Sequence, residues 1–148
     1  MITVGQLLRS KENLGVFWAA PEDTVYKALE LMAEQDIGGL PIMKEGKLVG
    51  FFSERDYARK VILKGKSSLK TPISEIMEPS TITVTPEHSV EDCMAIMTER
   101  HIRHLIVWEH DQLVGVVSIR DLVEAVVKAE EDRIASLENY IEGTDYNR

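Results

Sequence analysis

The stretch PEDTVYKALELMAEQDIGGLPIMKEGKLVGFFSERDYARKV at residues 21–61 recurs without a gap as PEHSVEDCMAIMTERHIRHLIVWEHDQLVGVVSIRDLVEAV at residues 86–126. A fixed offset of 65 residues preserves prolines, glycines, charged and apolar residues alike, in the pairs Pro21/Pro86, Glu22/Glu87, Val25/Val90, Met32/Met97, Leu40/Leu105, Gly50/Gly115, Ser53/Ser118, Arg55/Arg120 and Asp56/Asp121. Two copies are too few for a solenoid, which needs several repeats to bury a continuous core. We therefore expect the copies to pack on each other as one pseudo-symmetric body, with the functional site between them.

Composition limits the classes of function. The 148 residues are 44% hydrophobic, which is enough for the core of one ordinary domain. The formal charge of −8 argues against a duplex nucleic-acid surface, whose affinity comes mainly from Lys and Arg on phosphates. The sequence shows no signal peptide and no apolar run near the roughly 18 residues of a membrane span, so we expect a cytoplasmic protein with no membrane partner. The single cysteine, Cys93, lies in an apolar run and is expected to be a buried small hydrophobe.

Each copy changes periodicity in the same order. Thr24 and Ser89 precede apolar residues at helical spacing. Two short β runs follow in each copy, separated by the polar turns KEGK and EHDQ, which is typical of a hairpin. Ser53 and Ser118 then begin second helices, so each copy is predicted to run strand, helix, strand, strand, helix.

The chain divides into five segments: an N-terminal helical segment 1–15, the first copy 16–63, a linker 64–80, the second copy 81–128, and a C-terminal helix and tail 129–148. In the linker, SEIM predicts a short helical turn. In the last segment, Ile134, Leu137 and Ile141 share one helical face, and Gly143 is a candidate stop. We expect this apolar stripe to pack on a second subunit or on the N-terminal helix.

Three features recur in each copy: the helix start PEDTV or PEHSV, the LVG strand, and the Ser-x-x-Asp helix start. Together they resemble the CBS domain, and the two copies resemble a CBS pair, or Bateman module, of the kind found in small stand-alone bacterial proteins. The resemblance implies an α/β (α+β) fold in which each copy is a small three-stranded sheet with two helices, related by a pseudo-twofold axis, with N- and C-terminal helices. It also implies a flat, disc-like homodimer.

The Ser-x-x-Asp helix starts suit a nucleotide. A helix N-terminus offers free N–H groups and partial positive charge for a phosphate, and the arginine of each motif adds a full charge. A carboxylate can accept bonds from both hydroxyls of a ribose. By resemblance, that is the role of the aspartate, and the candidate residues are Ser53, Arg55, Asp56, Ser118, Arg120 and Asp121. The alternative is a capping box, because Ser89 and Asp92 share the spacing where the family places no ligand.

A basic cluster makes the copies unequal. The second copy has a basic cluster that includes Arg100, Ile102, Arg103 and His104. The equivalent stretch of the first copy, which includes Ile37, Gly38 and Gly39, carries no cation. We expect the cations to neutralise phosphate charge and the glycines to allow a close approach of the ligand. The alternative is a helix cap at Arg100 and a surface position for His101 and His104. His101 and His104 form an HxxH pattern, which is only weak evidence for a metal site, and no metal is expected.

In relatives of this kind the adenine lies against the segment before each first strand and the backbone of the second. This implies Met77, Ser80, Thr81 and Ile82 with 102–105 for the site of the second copy, and more loosely Lys11, Gly15 and Val16 with 37–40 for the site of the first copy. Trp18 and Trp108 have no counterpart tryptophans, and a core position is favoured over base stacking for each.

The sequence therefore predicts an adenine-nucleotide sensor for AMP, ADP, ATP or NAD(H), acting in signal transduction through a separate downstream protein. The alternative is a protein-interaction module with a vestigial site or another adenosyl ligand such as S-adenosylmethionine. An enzyme is not expected, since no nucleophile–base arrangement, Walker pattern or Rossmann glycine pattern is present. No catalytic cofactor is expected.

Overall fold

The order of the elements follows the repeat. The computed structural model describes residues 1–11 and 15–146, with side-chain burial to residue 141. The helices are α1 Val4–Ser10, α2 Val25–Gln35, α3 Glu54–Asp56 with a π-helical continuation Tyr57–Ile62, a 3-10 turn Ile73–Glu75, α4 Val90–Arg100 and α5 Ile119–Tyr146. The strands are β1 Gly39–Lys44, β2 Lys47–Ser53, β3 Thr83–Val84, β4 His104–Glu109 and β5 Gln112–Ser118.

The two predicted hairpins are confirmed. β1 pairs with β2 and β4 pairs with β5, both antiparallel, with a register shift at the same place in each pair. The turn residues have positive φ in both hairpins, at Glu45 and Gly46 in the first and at His110 and Asp111 in the second. Two successive positive φ angles match the right-handed twist of the flanking strands.

The third strand differs between the copies. In the second copy β3 pairs in parallel with β4, and Ile106 N–H donates to Ile82 O at 3.3 Å. The equivalent residue in the first copy is Pro41, which has no N–H to donate. Only a parallel bridge between Ala19 and Ile42 remains, so the first sheet has two strands where three were expected.

Each copy is completed by the segment that precedes the other copy. Val4 and Leu7 of α1 are buried in the core of the second copy, with Val90 N–H donating to Ile2 O at 2.9 Å. Ile73 and Ile76 of the linker are buried in the core of the first copy in the same way. The predicted helical turn in the linker is confirmed, and the copies are locked together by exchanged segments.

The last helix is longer than predicted. α5 runs without a break from the second copy through Gly143 to Tyr146, so Gly143 does not stop it. The apolar stripe is exposed, at 45% for Ile134, 50% for Leu137 and 59% for Ile141. Packing of this stripe on the N-terminal helix is therefore wrong, because α1 lies in the second core instead.

The two tryptophans and the cysteine differ in burial. Trp18 is 55% exposed, so its expected core position is wrong. Trp108 is half-buried beside Leu48 and Thr83. Cys93 is fully buried, as predicted. In the described part of the chain, every helix is too short or too polar to cross a bilayer.

Candidate functional site

A cavity of about 620 Å³ lies between the two copies. The first copy contributes the start of its second helix and the neighbouring strand, and the second copy contributes the segment before β3 and the approach to β4. Its lining residues are Gly38, Phe51, Ser53, Glu54, Arg55, Asp56, Arg59, Lys60, Glu78, Ser80, Thr81, Ile82, His101, Ile102, Arg103, His104 and Ile106. The cavity therefore depends on how the copies pack.

Asp56 is held at the first turn of α3. Its Oδ2 accepts bonds from Ser53 N–H at 3.0 Å and Ser53 Oγ at 3.1 Å, while Asp56 N–H donates to Ser53 Oγ at 3.2 Å. Oδ1 lies 3.2 Å from Lys60 Nζ. The side chain of Asp56 is 17% exposed and lines the cavity.

The capping box, which was the alternative interpretation of the Ser-x-x-Asp motif, is present at these helix starts. The same reciprocal bonds join Ser89 to Asp92 and Ser118 to Asp121. All three Ser-x-x-Asp motifs therefore stabilise a helix start. What distinguishes Asp56 from Asp92 is its position on the cavity between the copies.

Four cations line the cavity: Arg55, Arg59, Lys60 and Arg103. Arg55 Nη1 reaches across to His101 O of the second copy at 3.5 Å. Lys60 Nζ also donates to Ile76 O at 3.3 Å. Arg59 and Lys60 were not predicted as site residues, although their place one turn after Asp56 in SERDYARK was a signal for them.

The remaining wall is largely apolar. Phe51, Ile82, Ile102 and Ile106 line it, and the ring of His104 lies 5.3 Å from that of Phe51. Burial lowers the pKa of His104, against the smaller raising effect of Asp121. Burial therefore favours the neutral form of this half-buried ring. The expected role of His104 beside a phosphate stays a prediction.

Several predicted site residues lie elsewhere. Arg100 is exposed at the end of α4, and Arg120 pairs with Glu124 at 3.0 Å on the surface. Ile37 packs against the first core, and Val16 is 38% exposed. Gly39 faces the ring of Phe51, which a Cβ would meet at 2.5 Å.

The structure places residues that were expected in the second copy's site beside Asp56, and the lysine that was expected in the first copy's site beside Asp121. Thr81, Ile82 and Arg103 lie on the same cavity as Asp56 of the first copy. Asp121 instead meets Lys11, whose Nζ lies 3.1 Å from Asp121 Oδ2 and donates to Val116 O at 3.3 Å. Sequence reasoning missed this exchange because the offset shows which residues are equivalent and not which copy each one faces.

In the described residues, no three His, Cys, Asp or Glu side chains are grouped so that they could hold a metal ion. The lining of the cavity combines cations, carboxylates and hydroxyls with apolar side chains. Such a wall suits an organic anion that has both a charged and an apolar end.

Comparison with known proteins defines the class. The family model of the CBS domain matches twice, at residues 4–63 and 73–128. The chain therefore belongs to the CBS-domain family, as a tandem pair of CBS domains. Both matches begin at the exchanged segments, upstream of the copy boundaries predicted from sequence.

Particular relatives agree. The mitochondrial CBS domain-containing protein CBSX3 of Arabidopsis thaliana is 38% identical over 149 residues, covering 95% of this chain and 72% of that protein. A solved protein with CBS domains from Burkholderia ambifaria is 41% identical, with a TM-score of 0.81 over 85% of this chain and 94% of that one. Inosine-5'-monophosphate dehydrogenase of Korarchaeum cryptofilum is 36% identical over 72% of this chain but only 21% of that enzyme. CBS domains are typically regulatory, ligand-binding units.

Proposed function

We propose that the chain is an adenine-nucleotide sensor and that its ligand binds in the cavity between the two copies. The observation that carries this proposal is the meeting of Asp56 with four cations and an apolar wall in one cavity of about 620 Å³. CBS domains generally bind adenosine ligands, and the cavity has a fitting group for each part of such a molecule.

The ribose is assigned to Asp56. Its carboxylate is held by Ser53 and Lys60, so it is oriented before the ligand arrives. Preorganised acceptors lose little conformational freedom on binding. Ribose hydroxyls would donate to the lone pairs that Ser53 and Lys60 leave available.

The phosphate is assigned to the arginines. Arg55 and Arg59 belong to the first copy and Arg103 to the second, so an anion between them is drawn to both copies. Guanidinium groups suit phosphate because they form paired, charge-assisted bonds. The base is assigned to the wall of Ile82, Ile102 and Ile106.

A ligand that touches both copies can act as a signal. It shifts their relative packing by as much as its affinity differs between the two arrangements. We propose that a separate protein reads this change and that the chain itself performs no chemistry.

Isothermal titration with AMP, ADP, ATP, NADH and S-adenosylmethionine tests the proposal. We expect binding of an adenine nucleotide by the wild-type chain and loss of that binding in Asp56→Ala. The matched control is Asp92→Ala, which removes the same member of a capping box at a residue that does not line the cavity. Each variant removes the N3 side chain of a capping box, at an expected cost of about 1 kcal/mol of stability, but only Asp56→Ala should lose binding.

Equal binding by wild type and Asp56→Ala would overturn the ribose assignment. Binding of S-adenosylmethionine alone would replace the nucleotide by another adenosyl ligand. No heat with any of the five compounds would leave a protein-interaction module as the function.

A further inference from the structure

Lys11 makes the two aspartate sites chemically unequal. Its ammonium contacts both the carboxylate of Asp121 and the carbonyl of Val116, at 3.1 and 3.3 Å. The side chains of Lys11 and Asp121 are only 29% and 18% exposed. A partly shielded, charge-assisted bond of this kind is stronger than an ion pair in open water.

The equivalent groups in the first copy are arranged differently. Phe51, the counterpart of Val116, pairs through its backbone with Glu78, whose N–H donates to Phe51 O at 2.8 Å. The lysine beside Asp56 is Lys60 of the same helix, and its counterpart in the second copy is Ala125. Asp121 therefore has no cation one turn along its own helix and takes one from the N-terminal segment.

Lys11 is tethered close to its partners. It is the C-cap residue of α1, which is fixed by Val4 and Leu7 in the second core. A group that is anchored in this way competes as if it were present at high concentration.

We propose that Lys11 is a built-in occupant of the Asp121 site, which holds this site closed so that the chain binds one nucleotide, at Asp56. The inference rests on the proposed function of the cavity. A nucleoside entering beside Asp121 would displace an ammonium that already bonds Asp121 Oδ2 and the Val116 carbonyl, and it would offer neutral hydroxyls in exchange.

The test is the number of AMP molecules bound per chain, measured by isothermal titration and equilibrium dialysis. The wild-type chain binds one. Lys11→Met, which keeps the length of the side chain and removes its charge, binds two, the second more weakly. The double variant Lys11→Met with Asp121→Ala returns to one.

Lys66→Met is the matched control, because it removes another lysine that forms an ion pair, with Glu75 at 3.7 Å, and that does not line the cavity. It binds one AMP. A wild-type chain that binds two AMP molecules, or a Lys11→Met chain that still binds one, would overturn the role of Lys11 while the Asp56 site stands. Absence of AMP binding in every variant would overturn the AMP site at Asp56 and the inference with it.

Discussion

At the residue scale, His104 joins the two copies through its ring. It lies against Phe51 and within reach of Gly38, where an added Cβ would be 3.4 Å from His104 Nε2. Burial lowers its pKa in the folded chain, so the unfolded chain binds the proton more tightly. The stability from neutral His104 is present above the unfolded pKa of about 6.5 and is lost as the pH falls below it.

We therefore expect the urea midpoint of the wild-type chain to fall between about pH 7 and pH 5 by more than that of His104→Gln. Glutamine keeps a polar side chain of similar reach and does not titrate. Parallel pH profiles for the two proteins would show that His104 does not contribute to the pH dependence. Four neighbouring charged groups also act on the pKa of His104: Asp56, Asp121, Arg103 and Lys11.

The pKa of Cys93 shifts in the opposite direction to that of His104. Burial, followed by the charge of Asp92, raises the pKa of its thiol from 9.0 to about 11. The folded chain holds this proton more tightly, so the free energy of unfolding is unaffected below pH 9 and falls as the pH rises from 9 towards 11. We expect urea unfolding of the wild-type chain to show a steeper loss over this range than that of Cys93→Ala, and equal slopes would contradict the burial of the thiol.

At the element scale, the glycine of each LVG strand marks where an exchanged segment crosses the hairpin. A Cβ on Gly50 would lie 2.6 Å from Met77 Sδ and 3.0 Å from Glu78 O, whereas one on Gly115 would lie 3.2 Å from Leu8 Cδ2. Met77 belongs to the linker and Leu8 to α1. The glycine is needed for close approach, not for an unusual backbone angle.

We expect Gly50→Ala to lower the free energy of unfolding by about 1–3 kcal/mol, as overpacking does, and Gly115→Ala to lower it less. The reason is that a backbone carbonyl limits relief at Gly50, while the leucine side chain at Gly115 can move. Urea unfolding of both variants measures the order. A larger loss for Gly115→Ala would contradict the packing of the linker on β2.

Hairpins and helix starts could be predicted from the sequence because each depends on residues near in the chain. The KEGK and EHDQ turns and the Ser53 and Ser118 caps are of this kind. The missing third strand of the first sheet also has a cause in the sequence, since Pro41 lacks the N–H that Ile106 donates in the second copy. The exchange of segments could not be predicted from the sequence, because the helical periodicity of α1 does not indicate which core the helix enters.

At the scale of the whole molecule, the exposed stripe of α5 indicates association. We propose that a second copy covers it, giving the homodimer that the sequence predicts. Leu137→Asp should shift the sedimentation coefficient towards the monomer, while Ser136→Asp, the adjacent exposed residue off the stripe, should leave it unchanged. Glu131 and Glu138 flank the stripe, so added salt should strengthen the dimer by screening their repulsion. A wild-type monomer at every salt concentration would contradict this assignment.

Hydrogen–deuterium exchange with and without AMP tests whether one adenine nucleotide binds between the copies. We expect slower exchange in three segments that are separated in sequence and line the same cavity, around 53–60, 80–82 and 101–104. Protection of the first segment alone would indicate binding to one copy. Protection confined to 116–121, around Asp121, would contradict both the site and the role of Lys11.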